Sequence, residues 1–200
     1  MQGHIAIHPY DFRSAMKFLG KENIYSDYKK SRAVILPVPY ERTTSYGKGA
    51  KNGPAAILKA SGYVEDYDIE EDMVYSGIGI STLPALKGLK NPEALFGQIK
   101  KVNSRLLKDK KLPVYLGGEH TITAAIVEAL RSEYADFTVL HMDAHSDLRD
   151  IYKGTKYSHA CVMRRVFDMG VPFVSFGIRS QSLAERQFIK KEGLKILYAH

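Results

Sequence analysis

The sequence has little of what marks several large classes of protein. Its 200 residues include one cysteine, Cys161. A single cysteine excludes an internal disulfide framework, and the absence of a Cys-x-x-Cys pair excludes the common structural zinc modules. No apolar run is long enough to form a transmembrane helix, and the first residues lack the basic and apolar regions of a signal peptide. We therefore expect a cytoplasmic protein with no membrane partner.

The positive charge of the chain does not by itself indicate nucleic-acid binding. The formal net charge is +7, but the basic residues are scattered along helical stretches such as "GQIKKVNSRLLKDKK" and "ERQFIKKEGLK", where they form solvated faces. We find no motif that combines aromatic and basic residues for RNA, and no helix-turn-helix pattern. We expect a small-molecule substrate and no nucleic-acid partner. A nucleic-acid-binding module would instead show affinity that falls steeply with salt.

Apolar, β-rich runs alternate with helical patterns along the chain. The predicted strands are 33–39, 75–81, 113–118, 137–143, 172–179 and 194–199. The predicted helices are 53–61, 92–110, 120–132, 158–169 and 181–192. This alternation predicts an α/β fold, with a mainly parallel sheet covered by helices on both sides. The length and the 44% hydrophobic content predict a single domain over residues 1–200.

Acidic and imidazole side chains are concentrated after the fourth predicted strand. The stretch "HMDAHSDLRD" directly follows the apolar run "FTVL" (137–140), which we expect to be a strand buried on both faces. In an extended chain, Asp143, His145 and Asp147 point to the same side because they stand at i, i+2 and i+4. Ligands of parallel sheets bind beyond the carboxyl ends of strands, which is where these residues fall.

A second group of this kind follows the third predicted strand. The run "VYLGG" ends in Gly117 and Gly118, which permit a tight turn, and Glu119 and His120 come next. If the two strands are neighbours, two imidazoles and two carboxylates face one crevice. Mixed oxygen and nitrogen ligands without thiolate suit Mn²⁺ better than a soft metal, although zinc and iron stay open.

Each of these residues taken singly is more often a loop cap or a surface charge. The combination of D-x-H-x-D on one strand end with G-G-x-H on the preceding one is specific, and we interpret it as a metal site. His141 lies outside the pattern, and we expect it to support a ligand or the structure. We expect Asp150 to be solvated. A nucleophilic pair of Cys161 and His159 is rejected, because positions i and i+2 of a helix do not share a face.

Several blocks of the sequence resemble the ureohydrolases, the family that includes arginase and agmatinase. The residues in these motifs are most like those of agmatinase. "GGEH" (117–120) and "DAHSD" (143–147) resemble two of the three metal-binding signatures of that family. "PYERTTSYGKGAKNGPAAILKAS" (39–61) resembles its N-terminal glycine-rich segment. "YSHACVMRR" (157–165) resembles the block with a mobile active-site histidine, and "SFGIRS" (175–180) resembles the strand that follows it.

The resemblance implies an arginase-like three-layer α/β/α fold and two Mn²⁺ ions bridged by a hydroxide. By position, His120 and Asp147 would bind one ion and His145 the other, with Asp143 bridging both. His159 matches the histidine that shuttles protons or holds substrate, although a histidine at a helix start also has capping uses. The hydroxide would attack the guanidinium carbon, and His159 would protonate the amine that leaves with release of urea. Family members are trimers or hexamers, so we expect a homo-oligomer.

The substrate is less sharply indicated than the reaction. Arginases place an asparagine two residues after the metal motif, where it helps hold the α-carboxylate, and this sequence has Arg149 there. The departure favours agmatine, which would be hydrolysed to urea and putrescine in polyamine biosynthesis. Arg149 could also attract the carboxylate of another guanidino acid, so guanidinobutyrase, formiminoglutamase and arginase stay as alternatives. A non-catalytic protein of the same fold is a further alternative.

The third signature of the family, an aspartate pair followed by a glycine-rich segment and a glutamate, is not found in the 200 residues. Asp66 and Asp68 have the spacing of such a pair, but they lie in the acidic stretch "VEDYDIEED", which we expect to face solvent. We therefore expect the chain to be C-terminally incomplete. An incomplete parallel sheet would leave apolar surface exposed.

Overall fold

A computed structural model describes residues 16–199. Its α-helices are α1 (Gly53–Ala60), α2 (Pro92–Lys108), α3 (Ile122–Arg131), α4 (Val162–Asp168) and α5 (Leu183–Glu192). Its strands are β1 (Ala33–Val38), β2 (Tyr67–Asp68), β3 (Met73–Val74), β4 (Ile80–Thr82), β5 (Leu112–Gly117), β6 (Val139–Met142), β7 (Phe173–Ile178) and β8 (Ile196–Tyr198). Among the described residues, no helix is both long and apolar enough to cross a membrane.

The strands form two parallel ladders and one small hairpin. One ladder has the order β4-β1-β5 and the other has the order β6-β7-β8, while β2 and β3 pair antiparallel. Parallel strands connected through helices confirm the predicted α/β class. The two strands that precede the predicted ligands do not pair with each other among the described residues, where β5 pairs with β1 and β6 pairs with β7.

The described chain divides into two compact units. The first holds residues 16–39, 51–87 and 106–117, and the second holds residues 40–50, 88–105 and 118–199. The β4-β1-β5 ladder lies in the first unit, and the β6-β7-β8 ladder lies in the second. The single domain expected from the sequence stays a prediction.

Strand β1 is the central strand of the first ladder. All six of its residues are buried, as the continuous apolar run "AVILPV" predicts for a strand with neighbours on both sides. Its last residue, Val38, is opposite Gly117, the last residue of β5. Both strands therefore end at the same edge of the ladder.

In the second unit the chain passes close to itself at Gly118. A Cβ atom on Gly118 would lie 2.2 Å from the carbonyl oxygen of Tyr40, a distance no side chain tolerates. The next residue, Glu119, donates its N–H to the same carbonyl at 2.8 Å. Glycine is therefore required at this turn, as the sequence pattern predicts.

One face of the β6-β7-β8 ladder packs against helices to form the core of the second unit. The strands contribute Val139, Phe173 and Ile196. The buried residues of this core are Ala124, Val127, Leu148, Val162, Met163, Val166, Val171 and Ile189. Five of them come from α3 and α4, at spacings of three or four residues within each helix, which is the pattern of helices with one apolar stripe.

The opposite face of this ladder is apolar and exposed. Leu140 is 64% exposed and Met142 is 73% exposed, and Phe176 and Leu197 on the neighbouring strands are also exposed. Met142 pairs with Phe176, and Phe176 pairs with Leu197, so these side chains form one surface. The prediction that residues 137–140 are buried on both faces is therefore wrong for the described chain. The apolar run shows that both faces of the strand are apolar, but it does not show that both faces are covered.

The predicted strand at 75–81 is also wrong over most of its length. Tyr75–Ile78 forms a 3-10 turn, and only Ile80–Thr82 is a strand. Gly79 between them has a φ of 78°, and a Cβ there would lie 2.6 Å from the Cα of Ser31. Gly79 therefore allows a turn and a close backbone approach within the run that was predicted to be a strand.

The acidic stretch "VEDYDIEED" forms the β2-β3 hairpin. Asp66 accepts hydrogen bonds from the N–H and hydroxyl of Ser76. Asp68 accepts from the backbone N–H groups of Glu70 and Glu71 at 2.7 and 2.8 Å. These aspartates therefore accept hydrogen bonds within the hairpin and its flanking turn. They were not assigned as metal ligands from the sequence.

Candidate active site

Two segments that follow β5 and β6 bring the predicted ligands together in the second unit. The imidazole Nδ1 of His120 lies 2.7 Å from Oδ2 of Asp147. The same nitrogen lies 3.7 Å from Oδ2 of Asp143. Three of the four ligands predicted from the sequence therefore form one compact group.

Asp147 reaches this group through an unusual backbone conformation. Strand β6 ends at Met142, and Asp147 has a φ of 50°, in the left-handed region. Its carbonyl accepts hydrogen bonds from the N–H groups of Met163 and Arg164 at 2.9 and 3.3 Å, which hold the turn in place. The extended geometry expected for residues 143–147 is therefore wrong, and a turn brings the carboxylates together instead.

His141 is a member of the group that the sequence pattern did not include. Single ligand atoms of His120, His141, Asp143 and Asp147 all lie within 4.8 Å of one another. The side chain of His141 is buried, its Nδ1 lies 3.0 Å from the hydroxyl of Ser175, and its Nε2 has no hydrogen-bond partner among the described residues. Burial is the main cause that lowers the pKa of His141, and the nearby imidazole of His120 lowers it further. A neutral imidazole is the form that binds metals.

His145 lies at the edge of the group rather than inside it. Its side chain is 64% exposed, and its Nδ1 lies 3.4 Å from Oδ1 of Asp143. Its backbone N–H donates to the same oxygen at 2.8 Å. The assignment of His145 to a second ion stays a prediction.

The donor set fits a divalent first-row metal ion. It offers two imidazole nitrogens and two carboxylates, and one of those nitrogens, Nε2 of His141, is buried without a hydrogen bond to any of residues 16–199. Burial alone would raise the pKa of Asp143, but the N–H of His145 and the nearby His120 lower it below its usual value. Asp143 is therefore held as the carboxylate that a metal requires.

His159 begins a short 3-10 turn, and three hydroxyl groups lie near its ring nitrogens, including that of Ser158 at 3.3 Å from Nδ1. Its Nδ1 lies 3.2 Å from Oγ1 of Thr43, and its Nε2 lies 2.9 Å from Oγ of Ser45. Ser158 precedes the turn, and its hydroxyl accepts the N–H of Ala160 at 3.4 Å. The predicted catalytic histidine therefore has both ring nitrogens in defined contacts.

A single cavity connects His159 with the ligand group. Its volume is about 620 Å³, within the range of about 300–1,000 Å³ that is typical of small-molecule sites. Its polar lining comprises Thr44, Ser45, Tyr46, Glu119, His120, Asp143, His145, Asp147, Arg149, Tyr152, His159, Ser180, Gln181, Ser182 and Glu185. All the residues predicted from the sequence to bind metal or substrate line this cavity.

Arg149 lies at the cavity with its charge partly balanced. Its side chain is 42% exposed, and its Nε lies 3.8 Å from Oε2 of the buried Glu185. Its guanidinium lies over the ring of Tyr152, 5.3 Å from the centroid. The position fits a substrate contact, and the binding role of Arg149 stays a prediction.

Asp150 and Cys161 lie outside the cavity. Asp150 is exposed, as expected, but it also accepts a hydrogen bond from the buried Arg165 at 2.6 Å, which lowers the pKa of its carboxyl. Cys161 is fully buried, and burial raises the pKa of its thiol. Neither the exposure nor the ionisation of Cys161 suits a nucleophile, in agreement with the sequence argument.

Sequence reasoning did not single out Glu119, Thr43, Ser45 or Tyr152. Glu119 is adjacent to His120 in "GGEH", and Thr43 and Ser45 lie within the glycine-rich segment. The motifs therefore contain these three residues, whereas Tyr152 lies outside all of them. Contacts between residues more than seventy positions apart cannot be seen in a single sequence.

The parallel strands, with a group of imidazole and carboxylate side chains at their carboxyl ends that could hold a metal ion, define an α/β protein. The arginase family model matches residues 31–200. The chain belongs to the arginase family.

Relatives of this chain are named either N(1)-aminopropylagmatine ureohydrolase or agmatinase. The chain is 38% identical over 201 residues to N(1)-aminopropylagmatine ureohydrolase of Synechocystis, which covers 96% of this chain and 65% of that protein. It is 34% identical over 180 residues to agmatinase of Pyrococcus horikoshii, which covers 86% of this chain and 60% of that protein. The chain thus spans less than two thirds of the length of these relatives.

Solved structures agree with this assignment of the fold. Agmatine ureohydrolase of Thermoplasma volcanium is similar with a TM-score of 0.82 and 31% identity, over 92% of this chain and 62% of that chain. Arginase from Medicago truncatula shares the fold with a TM-score of 0.76 at 22% identity, over 94% of this chain and 65% of that chain. The arginase-like fold predicted from the sequence is confirmed.

Proposed function

We propose that this chain supplies the active site of a metal-dependent enzyme that hydrolyses a guanidino compound and releases urea. The observation that carries the proposal is the group of His120, Asp143 and Asp147, which lies in one cavity with His159. Membership of the arginase family supports it. The names of the relatives support a guanidino substrate.

The ligand group would hold the metal through His120, Asp143 and Asp147. His141 or His145 would complete the set, because each has an imidazole nitrogen close to Asp143. Mn²⁺ suits this mixture of nitrogen and oxygen donors, and two ions are expected for a complete active site. A divalent ion in this position lowers the pKa of bound water and so supplies hydroxide near neutral pH.

The protein groups around the cavity have defined tasks in this reaction. The carboxylates attract the guanidinium cation and stabilise the positive charge of the reacting group. His159 lines the cavity and, when protonated, would donate a proton from Nε2 to the departing nitrogen, because an amine leaves more easily than its anion. The hydroxyl of Ser45 lies 2.9 Å from Nε2 of His159 and orients the imidazole ring.

Agmatine is the substrate that we favour, with urea and putrescine as products. A second candidate is N(1)-aminopropylagmatine, since the relative from Synechocystis carries that name. Both are cations, so Arg149 is an unexpected neighbour for them unless Glu185 balances its charge. A guanidino acid such as 4-guanidinobutyrate would pair with Arg149 directly. We expect the active form to be a homo-oligomer.

The test is urea release from four substrates in parallel, with Mn²⁺ supplied and the intact mass of the sample recorded. The substrates are agmatine, N(1)-aminopropylagmatine, arginine and 4-guanidinobutyrate. Urea from either of the first two supports the proposal and identifies the substrate. Urea from arginine or 4-guanidinobutyrate alone would replace the favoured substrate, and no urea from any of them would contradict the proposed reaction.

A further inference from the structure

Glu119 is a buried carboxylate beside the metal-ligand group. It is 5% exposed and follows the turn at the end of β5. Its Oε2 accepts the backbone N–H groups of Arg42 and Thr43 at 2.6 and 2.7 Å. Its Oε1 accepts the hydroxyl groups of Thr43 and Thr121 at 2.8 and 2.6 Å. Four donors satisfy a group that would otherwise be costly to bury.

Thr43 joins Glu119 to His159. Its hydroxyl gives its only proton to Glu119, because an ionised carboxylate can accept but not donate. The oxygen of Thr43 is then left with acceptor capacity alone. It accepts the backbone N–H of His159 at 3.1 Å, and it lies 3.2 Å from the ring Nδ1. A hydrogen bond between the two therefore requires the proton to be on Nδ1.

We propose that Glu119 is a positioning residue that, through Thr43, fixes His159 as the tautomer with its proton on Nδ1. Nε2, which faces Ser45 and the cavity, is then the ring atom that takes up and gives up a proton. Glu119 also holds the segment that carries Thr43 and Ser45 through two backbone contacts. The catalytic consequence rests on the proposed function, whereas the tautomer does not.

The substitution Glu119→Gln tests this arrangement because it reverses one hydrogen bond. The backbone N–H groups of Arg42 and Thr43 can only donate, so the amide oxygen of glutamine must face them. Its NH₂ group must then face the hydroxyl of Thr43, which becomes an acceptor. The released hydroxyl proton of Thr43 can be donated to Nδ1 of His159, so we expect the tautomer to change to Nε2–H.

The measurement is ¹H–¹⁵N NMR of the histidine rings in the metal-free protein at pH 8.5, well above the ordinary histidine pKa of about 6.5. The chain has seven histidines, so the signals of His159 are assigned by their loss in His159→Gln. The expected result is a protonated Nδ1 in the wild type and a protonated Nε2 in Glu119→Gln. Glu133→Gln, at an exposed position after α3, should match the wild type.

A protonated Nε2 in the wild type, or the same tautomer in the wild type and Glu119→Gln, would overturn the proposal. If Glu119→Gln does not fold, Thr43→Val gives an independent test, because it removes the hydroxyl and keeps the backbone contact to Glu119. The hydroxyl of Ser158, 3.3 Å from Nδ1, then remains as a described partner and is free to donate. We expect the fraction of Nε2–H to rise in this variant, and an unchanged tautomer would contradict the proposal.

Turnover provides a second readout. In Glu119→Gln, His159 would have to act as an acid while neutral, so kcat should fall about 10- to 100-fold, part of the gain that a positioned acid provides. KM should stay within about twofold, because substrate contacts are retained. A tautomer change in a protein that releases no urea would contradict the proposed function alone. An active enzyme whose tautomer does not change would contradict the role of Glu119 alone.

Discussion

At the scale of single residues, Arg149 offers the most direct test of substrate choice. If the substrate carries a carboxylate, Arg149→Met should lower kcat/KM about 10- to 100-fold, since a hydrogen bond to a charged group contributes about 1.5–3 kcal/mol. If the substrate is a cation such as agmatine, the same change should leave kcat/KM equal or higher. The measurement is urea release from agmatine and 4-guanidinobutyrate.

The matched control for this experiment is Arg131→Met, at an exposed position in the last turn of α3. This substitution removes the same charge at a position away from the cavity, so kcat/KM should stay unchanged for both substrates. A large loss with agmatine in Arg149→Met would contradict the idea that Glu185 balances the charge of Arg149.

Cys161 yields a prediction about reactivity. Because the thiol is fully buried and burial raises its pKa, the thiolate fraction at pH 8 is lower than that of a free cysteine. We expect the native protein to react with a disulfide reagent at least about 100-fold more slowly than the protein in denaturant, as reaction then requires opening of the core. Comparable rates in the two states would contradict the buried position of Cys161.

The proximity of the candidate ligands could be predicted from the sequence to a large extent, and their side-chain contacts could not. The spacing of Asp143 and Asp147 and the position of His120 after a strand were sufficient to predict that the three side chains lie together. The left-handed turn at Asp147 was not predicted, because its φ of 50° depends on hydrogen bonds from α4. His141 was placed outside the group for the same reason, since only the fold shows that its Nε2 is buried beside Asp143.

At the scale of secondary structure, α5 begins with a complete capping box. The hydroxyl of Ser182 accepts the N–H of Glu185, and the carboxylate of Glu185 accepts the N–H of Ser182. Ser182→Ala should lower the free energy of unfolding by about 1 kcal/mol, the usual cost of losing such a cap. The measurement is urea-induced unfolding followed by circular dichroism.

Ser104→Ala, at an exposed position within α2, is the control for the capping prediction. It should be neutral or slightly stabilising, because alanine favours a helix interior. If Ser182→Ala were as stable as Ser104→Ala, the capping box would not contribute to the stability of α5.

Helices were predicted more closely than strands. The helix expected at 181–192 begins two residues later, at Leu183, because Ser182 is its cap. The strand expected at 75–81 is mostly a 3-10 turn, because the positive φ of Gly79 depends on the approach of Ser31. Helix signals are local, whereas strand pairing depends on contacts between distant residues.

At the scale of the whole molecule, the alternation of strands and helices was sufficient to predict the α/β class and the parallel direction of the strands. It did not predict the division into two compact units, since that depends on which strands pair. It also did not predict which apolar faces are covered. Leu140 was expected to be buried, yet it is exposed in the described structure, as is Met142 on the same face of the strand.

The proposed reaction requires that His120, Asp143 and Asp147 together bind a divalent metal ion. Titration with Mn²⁺, followed by the electron paramagnetic resonance signal of the free ion, tests it most directly. The wild type should remove about one Mn²⁺ or more per chain from solution. Asp143→Asn should bind at least about tenfold more weakly, since even the loss of a group behind a ligand costs about 10- to 100-fold. Asp136→Asn, at an exposed loop position, should bind like the wild type. Failure of the wild type to bind Mn²⁺, or equal binding by Asp143→Asn, would contradict the account.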